Sequence, residues 1–551
     1  MQTPVSLFPG AVLMILILAI IVTLPVTFFL ISRYNRALIK GMGYVSQLFK
    51  THPETTEVKE KALSFTPEFQ MVDVSQLPDN TSPTYLKLKE TLGYHWFTYG
   101  AMCLVFAAIN AWCLLQGEDS INIWQFSLPT LSMFFPFLPV SLMLLANGFK
   151  QQLIIIAILM FVFITGTYII WAKSAEEGTT FISMFSPFLF NIIPVLIIAI
   201  LRIEKIKAVG MFIYSFFIIC FSGPAFLIYF FAAKPDIFKK PGYAFIDMGL
   251  PSYVILFLWI ILSLGAASIV GWVLINQIKK LYINKRINDI QTNADSIMLL
   301  FNITFSIIII FSSPTYALVS LLAFPAYKIT GYLLFYFLRK RKIKEISPRM
   351  LLLRVFALGD DSRNLFERVL KHWRYAGSIQ MITGPDLATT TIEPHEVISF
   401  VSGNLKNSFC EDEASIEKNI SNADTLPDLD GTHRVNEFFC RDNNWKEVLT
   451  KLVQHSDVVL MDLRSFSERF KGCKYEIEAL VNMASLDKLV FVTDKNTDIA
   501  FTQNVFTHAF QMAENTSPNL LNPKPVQLYN IDTRNDKNVF RLLNLLCSKI
   551  E

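Results

Sequence analysis

Along roughly the first 340 residues the apolar positions come in long runs; beyond residue 349 they come in short runs alternating with amphipathic stretches. A bilayer core demands about 20 apolar helical residues, because no water there satisfies a bare backbone. Such runs fall at about 11–32, 95–115, 124–147, 153–172, 181–201, 209–231, 252–275, 296–312 and 315–338, and they predict nine spans. The tripeptide SSP (312–314) separates the last two. A single helix kinked at Pro314 is the other reading of that stretch, since proline kinks helices without always ending them. The segment 33–94 between the first two spans is polar and mixed in charge, with short helices expected near 42–50 and 84–92. It reads either as a docking segment for the C-terminal domain or as a solvated connector.

The second pattern begins with LLLRVFAL (351–358), a buried strand, then the loop GDDSRN and the amphipathic helix LFERVLKHWRYAG. In that helix Leu365, Phe366, Val369, Leu370 and Trp373 recur at helical spacing. Further strands are expected at 378–384, 457–463, 488–494 and 525–531, with helices at about 395–409, in NWKEVLTKLVQHS, in KYEIEALVNMA and in NDKNVFRLLNLLCSK. Strands alternating with helices imply right-handed crossovers and a parallel sheet covered on both faces. Ligands of such sheets bind beyond the carboxyl ends of the strands. Here those ends are the loops 359–364, 384–394, 464–473 and 494–498.

The expected fold is therefore an α-helical polytopic membrane domain (1–345) followed by a soluble α/β parallel-sheet domain (346–551). Composition agrees: of 551 residues 52% are apolar, 48 are Phe and only 17% are charged, against about 25% charged in ordinary soluble domains. A wholly soluble enzyme, a disordered chain and a collagen-like protein are excluded. Lys and Arg then set the orientation. Sixteen flank one set of helix ends, from Arg33 to the run 339–344, and four (Lys173, Lys234, Lys239, Lys240) flank the other. Nine spans starting outside put all sixteen in the cytoplasm, with the C-terminal domain, and the expected location is the plasma (inner) membrane. A single kinked last helix would put RKRKIK outside. The first apolar run has no preceding Lys or Arg and no A-x-A-like site, so it reads as a retained helix and not a signal peptide. The seven cysteines include no C-x-x-C, and no disulfide framework or metal site is encoded. A net charge of +4 concentrated at helix ends speaks of topology, not of nucleic acid.

Ionisable groups at mid-membrane are costly and mark transport or ion pathways. By sequence the first eight spans carry none well inside; Lys328, in AFPAYKITGY, is the exception in the ninth. It is either a counter-ion or substrate anchor beside Pro325, or a side chain that snorkels to an interface. Pro129, Pro136 and Pro139 are expected to bend the third span.

No G-x-x-x-x-G-K-[ST] and no G-x-G-x-x-G occurs, which argues against GTPase, ATPase and ordinary dehydrogenase readings. VFALGDD (355–361) resembles the opening strand and acidic loop of Toll/interleukin-1 receptor (TIR) domains. YAGSIQMITGPDLATTTIEPHEVISFVSG is similar to their second strand, the long loop after it and the next helix. NWKEVLTKLVQHSDVVLMDLRSFSERFKGCKYEIEAL resembles their central block, which ends in a Cys-x-x-Glu helix start matched by Cys473 and Glu476. The resemblance covers about 355–403 and 444–494; 404–443, with NEFFCRD, is an insertion, and Gly472 stands where the family usually has Trp. A flavodoxin-like regulatory domain without that ancestry shares part of these motifs.

The TIR family includes self-associating signalling scaffolds and enzymes that cleave the glycosidic bond of NAD. The resemblance implies a signalling or defence role, NAD as ligand or substrate, self-association through the α/β domain, and Glu476 as the carboxylate that serves the ribose. Nicotinamide departure leaves oxocarbenium-like charge that a carboxylate stabilises. The other account of Glu476 is an acidic residue complementing a helix dipole. Ligand-binding candidates are Gly359, Asp360 and Asp361 after the first strand, Gly384 after the second, and Cys473, whose thiolate Lys471 and Lys474 would favour.

Overall fold

A computed structural model describes the chain except residues 1–7, 43–65, 80, 117–120, 146–148, 175–179, 202–205, 207–208, 234–248, 250, 343–346, 355–359, 384–393, 404, 406–408, 441–443, 469–470 and 534. The chain divides into two compact units. One gathers Met1–Arg33, Tyr94–Leu338 and Glu393–Ile398; the other gathers Tyr34–Gly93, Arg339–Ile392 and Ser399–Glu551.

The first unit is helical. Among the described residues seven helices are long and apolar enough to cross a membrane: Met14–Met42, Pro83–Leu114, Gln151–Lys173, Gly210–Leu227, Ser252–Ile283, Ile290–Ile310 and Pro314–Phe337. Ile123–Met133 and Phe137–Leu145 make an eighth if they are one span bent by 47°. Pro136 lies in that break, Pro129 in the helix before it and Pro139 in the helix after it, so the expected bend is present. Phe181–Leu201 is a further apolar helix. The stretch around SSP is two elements: Asp289–Ser312 ends at Ser313, and Pro314 opens the next helix. They run antiparallel, since Ser306 Oγ meets Ser320 Oγ at 2.7 Å and Asn302 Nδ2 donates to the Leu321 carbonyl at 3.2 Å.

Burial sorts these helices. In the most apolar stretch of Ile290–Ile310 78% of the residues are buried, whereas in that of Ser252–Ile283 11% are. The inner helix accordingly carries the polar side chains, Gln291, Thr292, Asp295, Ser296, Asn302, Thr304 and Ser306, all buried. Polar groups in apolar surroundings must face protein, because lipid offers them no partner.

The second unit is a three-layer α/β structure around one sheet. Its strands are β1 Phe69–Asp73, β2 Arg349–Arg354, β3 Ser378–Thr383, β4 Phe409–Cys410, β5 Val435–Cys440, β6 Val458–Asp462, β7 Leu489–Thr493 and β8 Val526–Asn530. All neighbours are parallel, in the order β1-β8-β7-β6-β2-β3-β5-β4. Alternate residues of each strand go to opposite faces. Val459 and Met461 of β6 join the core under helices Trp445–His455, Lys471–Met483 and Ile499–Met512. Val458 and Leu460 join the core under Asp360–Trp373 and Asp536–Ser548. A sheet buried on both faces needs the nearly continuous apolar strands the sequence supplies.

Two features extend the sequence reading. The segment 404–443, read as an insertion, supplies β4 and β5 beyond β3. The segment 33–94 supplies β1, which pairs with β8 from Phe69↔Val526 to Asp73↔Asn530. Downstream of β1, Val74 and Tyr85 enter the core under the last helix. Asn544 of that helix accepts from the backbone N–H groups of Thr81 and Ser82 and donates to the Pro78 carbonyl. The domain read as 346–551 thus takes in part of 33–94, which is no mere connector. Of the two short helices expected there, 42–50 lies almost wholly outside the described residues, and 84–92 is the start of the long helix Pro83–Leu114.

Candidate functional site

The strand order locates the switch point at the carboxyl edge of the sheet. Successive strands proceed outward from β2 through β3 to the β5/β4 edge, and the chain then returns to the opposite side of β2 with β6. That reversal between β2 and β6 is the switch point where open parallel sheets collect ligands. The register there ends on Arg354 beside Asp462.

After β6 the corner is tightly held. Arg464 forks onto Asp462, Nε to Oδ1 and Nη2 to Oδ2, both at 2.8 Å, and both side chains are buried. Bidentate pairs of this kind are the strong, geometrically specific ones. Ser465 has φ of 55°, a left-handed backbone uncommon for a residue with a side chain. Its N–H donates to Asp494 Oδ1 at 2.8 Å, and Thr497 Oγ1 donates to the Leu463 carbonyl at 3.0 Å. The loops after β6 and β7 are therefore locked together. Sequence reading named these loops but none of these residues; their signal, an Asp-Leu-Arg at a strand end and an Asp-x-x-Thr turn, is too short to stand out.

Glu476 lies in the second turn of helix Lys471–Met483, six residues in, so the dipole-complementing first-turn role does not apply to it. It shares the core-facing stripe with Cys473, Ile477 and Leu480 and is only 2% exposed. Burial pushes its carboxyl up to about 8, against the opposing effect of a hydrogen bond from the Cys473 thiol. Its Oε2 has no hydrogen-bond partner among the described residues. At neutral pH this is mainly a carboxylic acid, able to donate a hydrogen bond or a proton.

Cys473 is buried as well. Lys474, expected to favour its thiolate, points elsewhere: Nζ lies over the Phe501 ring, 5.1 Å from the centroid. Cys473 is a packed thiol beside Glu476, not an exposed nucleophile. Asp360 and Asp361, read as part of a loop, are the first two residues of helix Asp360–Trp373. Gly359 and Gly384 lie outside the described residues. Among the described residues no group of three or more His, Cys, Asp or Glu side chains is placed to hold a metal ion.

Within the helical unit, Lys328 has a partner that sequence reading left outside the span. Its Nζ donates to Asp295 Oδ2 at 2.5 Å, and the Asp295 side chain is 4% exposed. The helix around Asp295 begins at Asp289, so the candidate span Ile290–Ile310 takes Asp295 in. Asp295 Oδ1 and the neighbouring Tyr327 hydroxyl are buried with no hydrogen-bond partner among the described residues. The ion pair offsets the charge of Lys328.

No protein-family model, curated protein or solved structure matches this chain.

Proposed function

We propose that this is a nine-span plasma-membrane protein, N-terminus outside, whose cytoplasmic TIR-like α/β domain recognises NAD or a related nucleotide and acts as a signalling or defence effector. The observation that carries the reading is Glu476, a buried carboxyl whose Oε2 has no hydrogen-bond partner among the described residues, on the helix that follows β6 at the switch point. Strongly perturbed carboxyls of this kind gather at functional sites. The nicotinamide ring of NAD is cationic, and a cation alongside favours the carboxylate over the acid. Ligand entry would thus generate the negative charge that a departing nicotinamide requires. Asp462, Arg464, Ser465 and Asp494 serve as the rigid floor that keeps the helix start in position.

The test is nicotinamide release by the purified full-length protein in nanodiscs, at low and high protein density. Wild type should release nicotinamide, and Glu476→Gln should lower the rate by about 10²–10³, the usual cost of one lost transition-state stabiliser. No release by wild type at any density defeats the catalytic reading and leaves self-association through the α/β domain as the signalling act.

A second reading rests on its own observation. The Asp295–Lys328 pair gives the helical unit paired ionisable groups, Asp295 buried, of the kind that transporters and channels use. Solute or ion flux into proteoliposomes, lost in Asp295→Asn, would establish a transport role with a regulatory α/β domain.

A further inference from the structure

The register of the sheet edge sets Cys410 of β4 directly beside Cys440 of β5. Both belong to one core cluster, Cys410 fully buried and Cys440 6% exposed. Neighbouring strands lie about 4.7–4.9 Å apart, inside the Cα–Cα range of about 4.4–6.8 Å that a disulfide bridges. In-register residues of parallel strands also send their side chains to the same face. The remaining cysteines have no such arrangement by strand register, and these two are 30 residues apart in sequence, so no local motif announces them.

The two sulfurs are not equivalent. Asn419 Nδ2 donates to the Cys410 sulfur at 3.6 Å, and the Cys440 thiol donates to the Phe438 carbonyl at 3.4 Å. The adjoining Cys440 thiol and Asn419 hold the Cys410 thiol below its usual value in spite of burial, while the neighbouring Cys410 and burial push Cys440 up. Asn419 Nδ2 also donates to the Phe409 carbonyl at 3.2 Å, and Asn444 Nδ2 donates to the Cys410 carbonyl, so the backbone that carries Cys410 is pinned. The register thus brings two thiols within disulfide reach on a pinned sheet edge.

We propose that Cys410 and Cys440 form a reversible dithiol–disulfide site that reacts with small peroxides. The Cys410 thiolate attacks one peroxide oxygen; the S–O bond forms, the O–O bond breaks, and hydroxide leaves to take up the proton Cys410 has lost. The Cys440 sulfur then attacks the sulfenic sulfur; the S–S bond forms, the S–O bond breaks, and water leaves with the Cys440 proton. Two thiols become one disulfide and one hydrogen peroxide becomes two waters. Because β4 has two residues and pairs with β5, oxidation converts a short hydrogen-bonded edge into a covalent one.

The experiment exposes the folded full-length protein in nanodiscs to hydrogen peroxide, alkylates it under denaturing conditions, and maps peptides without reduction. The expected result is a Cys410–Cys440 crosslinked peptide, two hydrogens lighter than its reduced parts, with two fewer alkylated thiols per chain and full return after dithiothreitol. Cys440→Ser should lose the crosslink and leave Cys410 as a sulfenic acid that dimedone traps. Both thiols alkylated after peroxide treatment of the folded wild type would overturn the proposal. So would modification of Cys410 that stops at the sulfenic acid while Cys440 is intact.

Discussion

Lys328 Nζ and Asp295 Oδ2 meet at 2.5 Å between two helices of one unit, joining the one charge that stands out in the ninth apolar run to one that lies just before the expected span 296–312. Removing one member leaves the other without its counter-charge; removing both does not. Asp295 is almost fully buried while Lys328 is 28% exposed. Lys328→Met should therefore destabilise more than a neutral replacement of the pair, with about 3 kcal/mol as an upper range for the single change. Thermal unfolding in detergent of Lys328→Met, Asp295→Asn and the double variant checks this. A double variant less stable than either single one would contradict it.

Glu476 sets a pH dependence of stability. Its folded value of about 8 lies above the ordinary 4.5, because burial disfavours the charged form. Between those values the folded protein holds a proton that the unfolded chain releases. The stability from this group is complete below about pH 4.5 and is lost as pH rises through about 8, with a slope of at most about 1.4 kcal/mol per pH unit. His372, held down to about 3 by burial, and Asp428, pushed up to about 7 by burial, overlap this window. The wild-type minus Glu476→Gln difference removes both. Denaturant unfolding at pH 5, 6.5 and 8 should show that difference turning against wild type as pH rises; a flat difference would mean that the carboxyl is ionised in the fold.

Asn544 fastens the segment 78–82 to the α/β unit through its two accepted and two donated hydrogen bonds. Asn544→Ala should cost about 1–3 kcal/mol, the range for buried polar groups left unsatisfied. Limited proteolysis should show earlier cleavage within 66–82. A fragment 346–551 lacks β1 and presents a bare β8 edge, a template for aggregation. Joining 66–93 to it should restore a monodisperse product; equal behaviour of the two would mean that β1 is dispensable.

The inner strands are legible in the sequence, and for a physical reason. β6 and β7 are buried on both faces, so their apolar runs are continuous and bounded by helices with one apolar stripe. The helix Ile499–Met512 and the strands β1, β4 and β5 went unread. β1 is an edge strand, FQMVD, mostly exposed and embedded in a polar segment; β4 has two residues. Edge strands owe their place to a partner strand, and a partner distant in sequence leaves no local trace. Asp295 escaped for a similar reason. The polar run QTNAD precedes the expected span 296–312, yet Gln291, Thr292 and Asp295 are buried, and hydropathy along a chain does not report which neighbour a face meets. At the site, Glu476 and Cys473 were legible as a Cys-x-x-Glu pair, but their burial depends on the phase of helix Lys471–Met483 against β6.

The proposed function requires a nucleotide at the carboxyl edge between β2 and β6. Amide hydrogen exchange of the full-length protein in nanodiscs, with and without millimolar NAD, addresses it directly. The account predicts slower exchange confined to peptides covering 355–365 and 463–480, and the same protection, without turnover, in Glu476→Gln. Exchange unchanged by NAD in those peptides, with wild-type protein shown to be folded, would contradict it.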